Sequence, residues 1–254
     1  MLYEEERKPR LLQYIQQNQR ASVQVLSEVF QVSESTIRRD LKELEEAQLL
    51  KRTHGGAVSL ESANIEPAII DKEDLFREEK AAIAREAAEL IRPGDTLLLD
   101  AGTTTLHLAR EIRRMTDIRV VTNSLLVLNE LKDCRDIEVS LTGGMLRPET
   151  QAFVGPITEA ALDMIRVDKA FIAMNGIDAR AGLTTPNMVE AAAKRKMMDI
   201  ANEVVLLADH SKFGKVAFAK VAELSQVHHG IFDKEVPENS ILAMRKLGIV
   251  VTIV

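Results

Sequence analysis

Five side chains between positions 35 and 42 have the types and spacing to read a nucleic acid: Ser35, Thr36, Arg38, Arg39 and Lys42. Ile37, Leu41 and Leu44 recur at i, i+4 and i+7, which at about 100° per residue places them on one helical stripe that must be buried. Ser35, Arg38, Arg39 and Lys42 then point about 100–200° away from that stripe. Cations and small hydroxyls on the first turns of a short helix, opposite an apolar seam, suit insertion into a DNA major groove. The competing reading is a solvated charged face, which Glu43, Glu45 and Glu46 support. Order along the helix favours the groove, because the cations come early and the acids late. Lys51, Arg52 and His54 follow within a short extended run and add phosphate-seeking groups.

A second set of unusual residues lies at the ends of apolar, β-rich runs. The runs lead into Asp100-Ala101-Gly102-Thr103-Thr104-Thr105, Thr122-Asn123-Ser124, Thr142-Gly143-Gly144, Asn175-Gly176-Ile177-Asp178 and Asp209-His210-Ser211-Lys212-Phe213-Gly214. A glycine followed by three threonines at a strand-to-helix turn offers free N–H groups, hydroxyls and the positive end of a helix dipole, a combination suited to phosphate. Lys212 and Arg147 could neutralise its charge. Asp100, Asn123 and Asp178 carry acceptors for sugar hydroxyls. Alternatively, Thr103 to Thr105 merely cap the helix and Asp100 only ends a strand. Glu190 and Lys194, at i and i+4, read either as an exposed ion pair or as rim residues.

Several chemistries are excluded. The first strand is not followed by G-x-G-x-x-G, no G-K-[ST] completes a Walker loop, and neither a nucleophile elbow nor H-E-x-x-H is present. No cofactor or metal is therefore expected. His107 follows the threonine loop and His210 lies beside Lys212, while His228 and His229 read as solvated or structurally bonded. Cys134, the single cysteine, can form neither an internal disulfide nor a zinc site and reads as a small buried apolar residue.

The elements that must position these residues follow from periodicity. Leu11, Leu12 and Ile15 mark a helix over Arg7–Asn18; Val23, Leu26 and Phe30 mark a second that opens at Ala21-Ser22; Ser33 is a good N-cap for the third. Leu49 to Val58 forms two extended runs hinged at Gly55-Gly56, a basic wing. Residues 1–60 thus read as a winged helix-turn-helix and 61–74, with Pro67, as a linker. From residue 75 to 254, β-rich runs (96–100, 119–122, 137–142, 170–174, 204–208, 230–232 and 249–254) alternate with helical stretches (105–115, 125–132, 158–165, 189–202 and 238–247). That rhythm predicts a mostly parallel sheet covered by helices, an α/β domain whose ligands bind beyond the strands' C-terminal ends.

Composition fits this division. With 254 residues, 46% apolar and 28% charged, the chain is long enough for two globular domains. Its net charge of -6 resides outside the first 60 residues, which hold nine basic and nine acidic side chains. Glu4, Glu5 and Glu6 stand where a signal peptide would be basic, and no apolar run spans a membrane, so a cytoplasmic protein is expected.

Two sets of motifs, in order, resemble the DeoR family of bacterial transcriptional regulators. Ser35-Thr36-Ile37-Arg38-Arg39-Asp40-Leu41 and Leu50-Lys51-Arg52-Thr53-His54-Gly55-Gly56-Ala57 are similar to its DNA-binding domain; the five loop motifs with Val154-Gly155 are similar to its effector domain. The resemblance implies a winged helix-turn-helix joined to a domain similar to ribose-5-phosphate isomerase. Its partners would be double-stranded operator DNA, a phosphorylated sugar or related metabolite as inducer, and further copies of the chain. Carried over, Gly102 to Thr105 form the phosphate loop with Lys212 and Arg147 as possible cationic partners, Asp100, Asn123, Asp178 and Glu190 hold the carbon skeleton, and Gly143 and Gly144 also belong to the effector-binding set. Where the isomerases have an acidic loop and a nearby lysine, the first acid here is Asn175 and Arg180 stands near the place of the lysine, and arginine cannot give up its proton near neutral pH. A repressor of a sugar or polyol operon is expected; the alternative is an isomerase-like enzyme with an attached DNA head.

Overall fold

The computed structural model describes residues 4–18, 20–47, 49–53, 55–59 and 69–254. His54 and positions 61–68 of the expected linker lie outside them. The chain divides into two compact units, Met1–Leu75 and Phe76–Val254.

The first unit runs α1 (Glu4–Asn18), β1 (Arg20–Ser22), α2 (Val23–Phe30), α3 (Glu34–Glu46), β2 (Leu50–Thr53), β3 (Gly56–Ser59) and α4 (Ile69–Glu73). Ser22 caps α2 by accepting from the Val25 N–H at 3.2 Å, and Gln31, at φ 51°, ends it in the left-handed region. Ser33 caps α3 by accepting from the Thr36 N–H at 3.3 Å. These caps fix the tight α2–α3 turn that periodicity alone leaves open. The expected stripe closes the core: Leu11, Ile15, Leu26, Ile37, Leu41 and Leu44 are all buried. The strands form an antiparallel sheet in the order β1-β3-β2. β1 is too short to show alternation and goes unseen in the sequence. Gly56 belongs to β3 rather than to the wing's hinge, because a Cβ there would lie 2.0 Å from the Ala21 carbonyl oxygen across the ladder.

The second unit continues with α5 (Arg77–Ala88), β4 (Thr96–Leu99), α6 (Thr103–Ile112), β5 (Ile118–Thr122), α7 (Leu125–Leu131), β6 (Ile137–Leu141), β7 (Met145–Arg147), β8 (Ala152–Val154) and α8 (Pro156–Asp163). It ends with β9 (Val167–Ala173), β10 (Gly176–Asp178), β11 (Gly182–Thr185), α9 (Met188–Asp199), β12 (Ala201–Ala208), β13 (Ala219–Ala222), β14 (His229–Phe232), α10 (Glu238–Lys246) and β15 (Val250–Ile253). Seven strands form one parallel sheet in the order β15-β14-β12-β9-β4-β5-β6. Alternate residues serve opposite faces: Leu98, Ala170, Ile172 and Leu206 join the cluster containing α8 and α9 residues, while Leu97, Leu99, Phe171 and Val205 join that of α5, α6 and α7. Burial on both sides is why the strands read as nearly continuous apolar runs. Cys134 is only partly buried against the second cluster, not fully as expected.

β9 and β12 extend beyond the expected runs because Ala201 pairs with Val167 and Glu203 with Lys169 at their bases. α9 consequently stops at Asp199 instead of reaching Asn202. Two further features carry no sequence period: the β7–β8 hairpin and a small antiparallel sheet, β10-β11-β13. From β4 the chain builds outward to β5 and β6 and then returns to the opposite side as β9. The sheet therefore switches direction between β4 and β9, the place where such sheets open a ligand crevice beyond their C-terminal ends.

Candidate nucleic-acid interface and ligand cleft

In the first unit Ser35, Arg38, Arg39 and Lys42 are exposed on α3 and Thr36 is half-buried. The Ser33 Oγ lies 2.8 Å from Ser35 Oγ and 2.9 Å from Thr36 Oγ1, so the hydroxyls form one cluster at the helix start. Lys51 and Arg52 are exposed on β2. Acids at both ends of α3 answer these cations: Arg38 Nη2 donates to Glu34 at 2.6 Å, Lys42 is 3.8 Å from Glu46, and Arg52 Nη1 is 3.9 Å from Glu45. Exposed pairs of this kind contribute about 0–1 kcal/mol, so a phosphate can displace them. One acid is different. Asp40 is fully buried and receives Nε and Nη2 of Arg7 at 2.5 and 3.0 Å, joining α1 to α3.

The second unit gathers its polar residues at the switch point. Asp100, immediately after β4, accepts the Ala173 N–H through Oδ2 at 3.1 Å, tying the top of β4 to that of β9. The same Oδ2 receives the Lys194 ammonium, which also donates to the Ala173 carbonyl at 2.9 Å. Asp100 is 1% and Lys194 5% exposed. Burial pushes the Asp100 carboxyl up, and the Lys194 ammonium and the Ala173 N–H pull it part of the way back. Asn123 fixes the neighbouring loop, accepting from the Ala101 N–H at 3.0 Å and donating to the Phe153 carbonyl at 3.0 Å. Asp100, Ala101, Asn123, Ala152, Glu190 and Lys194 line a narrow cleft.

Glu190 anchors the β7–β8 hairpin beside that cleft. Its carboxylate receives Arg147 Nη1 at 2.6 Å and Thr150 Oγ1 at 2.5 Å, with Thr185 Oγ1 at 3.4 Å. Glu190 and Lys194 are thus neither exposed nor paired with each other, contrary to the surface reading. A signal for this was present: Glu190, Lys194, Met197 and Met198 fall on one α9 face, and the two methionines are buried. The roles of Lys194 and Thr150 are missed by sequence reasoning because their partners lie 94 and 40 positions away, and that of Thr185 because Asn175 and Glu190 meet it only once β11 and α9 are in place.

The threonine loop divides. Gly102 is the N-cap of α6, and a Cβ there would lie 2.7 Å from the Ala173 Cβ, so close contact with β9 requires glycine. Thr105 is fully buried and donates to the Asp100 and Gly102 carbonyls at 2.6 and 2.9 Å, which makes it a structural cap. Thr104 is buried, whereas Thr103 is partly open beside the N–H groups of the first turn. Gly144 has φ 116°, and a Cβ would meet Thr158 Oγ1 at 2.2 Å, while the Gly143 carbonyl accepts from the same hydroxyl at 2.6 Å. This glycine pair lets the hairpin close over α8.

Two expected residues lie elsewhere. Asp178 Oδ1 accepts the Arg180 and Ala181 N–H groups, both at 2.8 Å, in the β10–β11 turn; those bonds hold its carboxyl below the usual range. Lys212 follows β12, two strands from β4 and so about 10 Å along the rim. Its ammonium lies 3.6 Å from Asp209 and 3.1 Å from Ser211 Oγ. Its neighbour His210 bonds Asp233 at 3.1 Å and packs edge-on against Phe76 with ring centroids 4.7 Å apart. His107 is buried on α6. His228 accepts from the Val204 N–H at 3.0 Å, and His229 Nε2 is 2.9 Å from Thr252 Oγ1, in keeping with structural roles. Asn175 accepts from Thr185 Oγ1 at 2.9 Å. Among the described residues, no group of side chains could hold a metal ion and no helix is long and apolar enough to cross a membrane.

A winged helix-turn-helix with an exposed cationic helix, on one chain with a parallel α/β unit that has a polar cleft at its switch point, defines a ligand-responsive DNA-binding regulator. Comparison with known proteins makes this specific. Residues 7–63 match the DeoR-like helix-turn-helix domain and residues 76–234 the DeoR C terminal sensor domain, and the chain belongs to the DeoR family. It is 40% identical over 246 residues to the HTH-type transcriptional regulator GlpR of Haloferax volcanii, covering 97% of this chain and 96% of that one. It is 36% identical over 233 residues to the HTH-type transcriptional repressor GlcR of Bacillus subtilis, with 92% and 90% covered. A third relative, the transcriptional repressor AccR of Agrobacterium fabrum, is 35% identical over 224 residues, with 88% and 87% covered. Among solved structures, ribose 5-phosphate isomerase A from Methanocaldococcus jannaschii aligns at a TM-score of 0.41 with 19% identity, over 54% of this chain and 55% of that one. The chain is a transcriptional regulator like these relatives, and the alternative of an isomerase with a DNA head is set aside on this kinship.

Proposed function

We propose that the protein represses a sugar or polyol operon and releases its operator when a phosphorylated sugar, or a related phosphorylated metabolite, occupies the rim beyond β4, β9 and β5. The observation that carries this reading is the cleft at the switch point, walled by buried polar side chains beside the open first turn of α6. The N–H groups of that turn and the Thr103 hydroxyl receive the phosphate. Asp100, Asn123 and Glu190 border the carbon skeleton, the Gly143-Gly144 segment and Arg147 hold the hairpin over it, and Lys212 serves a ligand reaching along the rim. Two of the relatives are named repressors, which supports repression over activation. A cytoplasmic homo-oligomer, at least a dimer, accompanies this reading, since symmetric operators bind paired heads.

A thermal-shift screen with phosphorylated sugars tests the ligand. A ligand at 100 times its Kd stabilises the protein by about 2.7 kcal/mol, and the same compound must release it from a duplex enriched out of a random pool. A panel that neither shifts melting nor releases DNA overturns the reading.

The DNA face gives a separate expectation. Lys51→Ala and Arg52→Ala each weaken binding to every sequence and lower the salt slope by about 1. Arg39→Ala costs about 1–3 kcal/mol on the selected duplex and less on a scrambled one. Gel-shift titrations at several salt concentrations separate the two behaviours; identical losses on both duplexes would deny Arg39 a base contact.

A further inference from the structure

Asp100 and Lys194 leave complementary valences on the same cleft wall. Asp100 Oδ2 is used by Lys194 and the Ala173 N–H, whereas the buried Oδ1 accepts no hydrogen bond among the described residues. Lys194 has three N–H donors and directs two of them to Asp100 and the Ala173 carbonyl, which leaves one. A buried acceptor without a donor and a buried cationic donor with a spare N–H are each costly to leave unmatched. Both line the cleft, and both stand at the sheet's switch point.

A water molecule or a hydroxyl satisfies both at once, because each donates one bond and accepts another, and a ligand hydroxyl that takes the water's place keeps both bonds. A carboxylate or phosphate would be repelled by Asp100, an ammonium by Lys194, and a methylene would leave both unmatched. We infer that Asp100 and Lys194 form a hydroxyl socket, and that the effector is recognised through one hydroxyl donating to Asp100 Oδ1 and accepting from Lys194 Nζ. This rests on the reading of the cleft as the effector site and adds its selection rule. The socket accepts polyhydroxylated ligands and rejects those lacking the hydroxyl at one position, irrespective of phosphate. Lys194 becomes a specificity-determining residue.

The experiment is isothermal titration of the full chain with glucose 6-phosphate, fructose 1-phosphate and ribose 5-phosphate, their unphosphorylated parents, and the monodeoxy and monofluoro analogues of whichever binds. The socket predicts one position at which the deoxy compound binds about 10- to 100-fold more weakly. The fluoro compound at that position must fail as well, since fluorine cannot donate to Asp100. Asp100→Asn and Lys194→Met should bind parent and deoxy compounds alike. If a variant does not fold, the analogue series on the natural chain still decides. Equal binding of every deoxy analogue overturns the socket while the sugar-phosphate reading survives. Hydroxyl-dependent binding of an unphosphorylated parent alone upholds the socket and overturns that reading. No binding by any compound overturns both.

Discussion

Asp40→Ala is expected to collapse the DNA-binding unit while the sensor unit stays folded. Asp40 is fully buried in the middle of α3, and its carboxylate meets the side chain of Arg7, which is 7% exposed, through two bonds. Removing one member of such a buried pair takes from the other its bidentate charge partner, at a cost of about 3–5 kcal/mol. A unit of this size has little more stability than that to lose. Hydrogen exchange on the full chain should report it: amides of α1 and α3 should exchange at least about 100-fold faster, with β4 and β12 unchanged. Operator binding should vanish with them. The double variant Arg7→Met with Asp40→Leu should recover most of the stability, because an apolar pair of similar volume avoids the desolvation of two ions. Protection in Asp40→Ala equal to that of the natural chain would mean that the pair does not hold α3 against α1.

The second large effect is expected at Glu190. Its carboxylate, 5% exposed, accepts from Arg147 and Thr150, with Thr185 nearby, and ties α9 to the β7–β8 hairpin and the loop that follows β7. Glu190→Ala takes from Arg147, 15% exposed, its buried carboxylate partner at 2.6 Å, while Glu149 stands farther off at 3.7 Å. The expected cost is about 3 kcal/mol, at the lower end for a broken buried pair because Arg147 retains some contact with water. The loss should be local. Exchange should rise across residues 145–154, and the protein should hold its operator yet no longer release it with ligand. Glu190→Gln keeps the shape and the hydroxyl bonds but loses the charge, so it should fall between the two. Unchanged protection of the hairpin together with normal release would remove Glu190 from the site.

These two residues show what could and could not be read from the chain. Asp40 appears as an acid within a cationic stretch, and periodicity places it beside the buried stripe, but its partner lies 33 positions earlier. Glu190 and Lys194 look like a local i, i+4 pair. Each instead answers a residue from another element, Arg147 across the hairpin and Asp100 from 94 positions away. Local charge rules fail here because burial makes a long-range bond worth far more than an exposed neighbour.

The three helices and wing of the first unit, the alternation of the seven main strands with their covering helices, the capped recognition helix with its outward cations and the polar loops at strand ends were determined by the sequence alone, because hydrophobic period, capping residues and glycine are local signals, whereas β1, the β7–β8 hairpin and the small β10-β11-β13 sheet were not. Only the tertiary structure decided which loops meet. The strand order puts β9 beside β4 and so brings Asp100 to Ala173 and Lys194, while it keeps Lys212 two strands away and gives Asp178 to a turn. Sheet order is set by packing among distant segments, which leaves no local trace in composition or spacing.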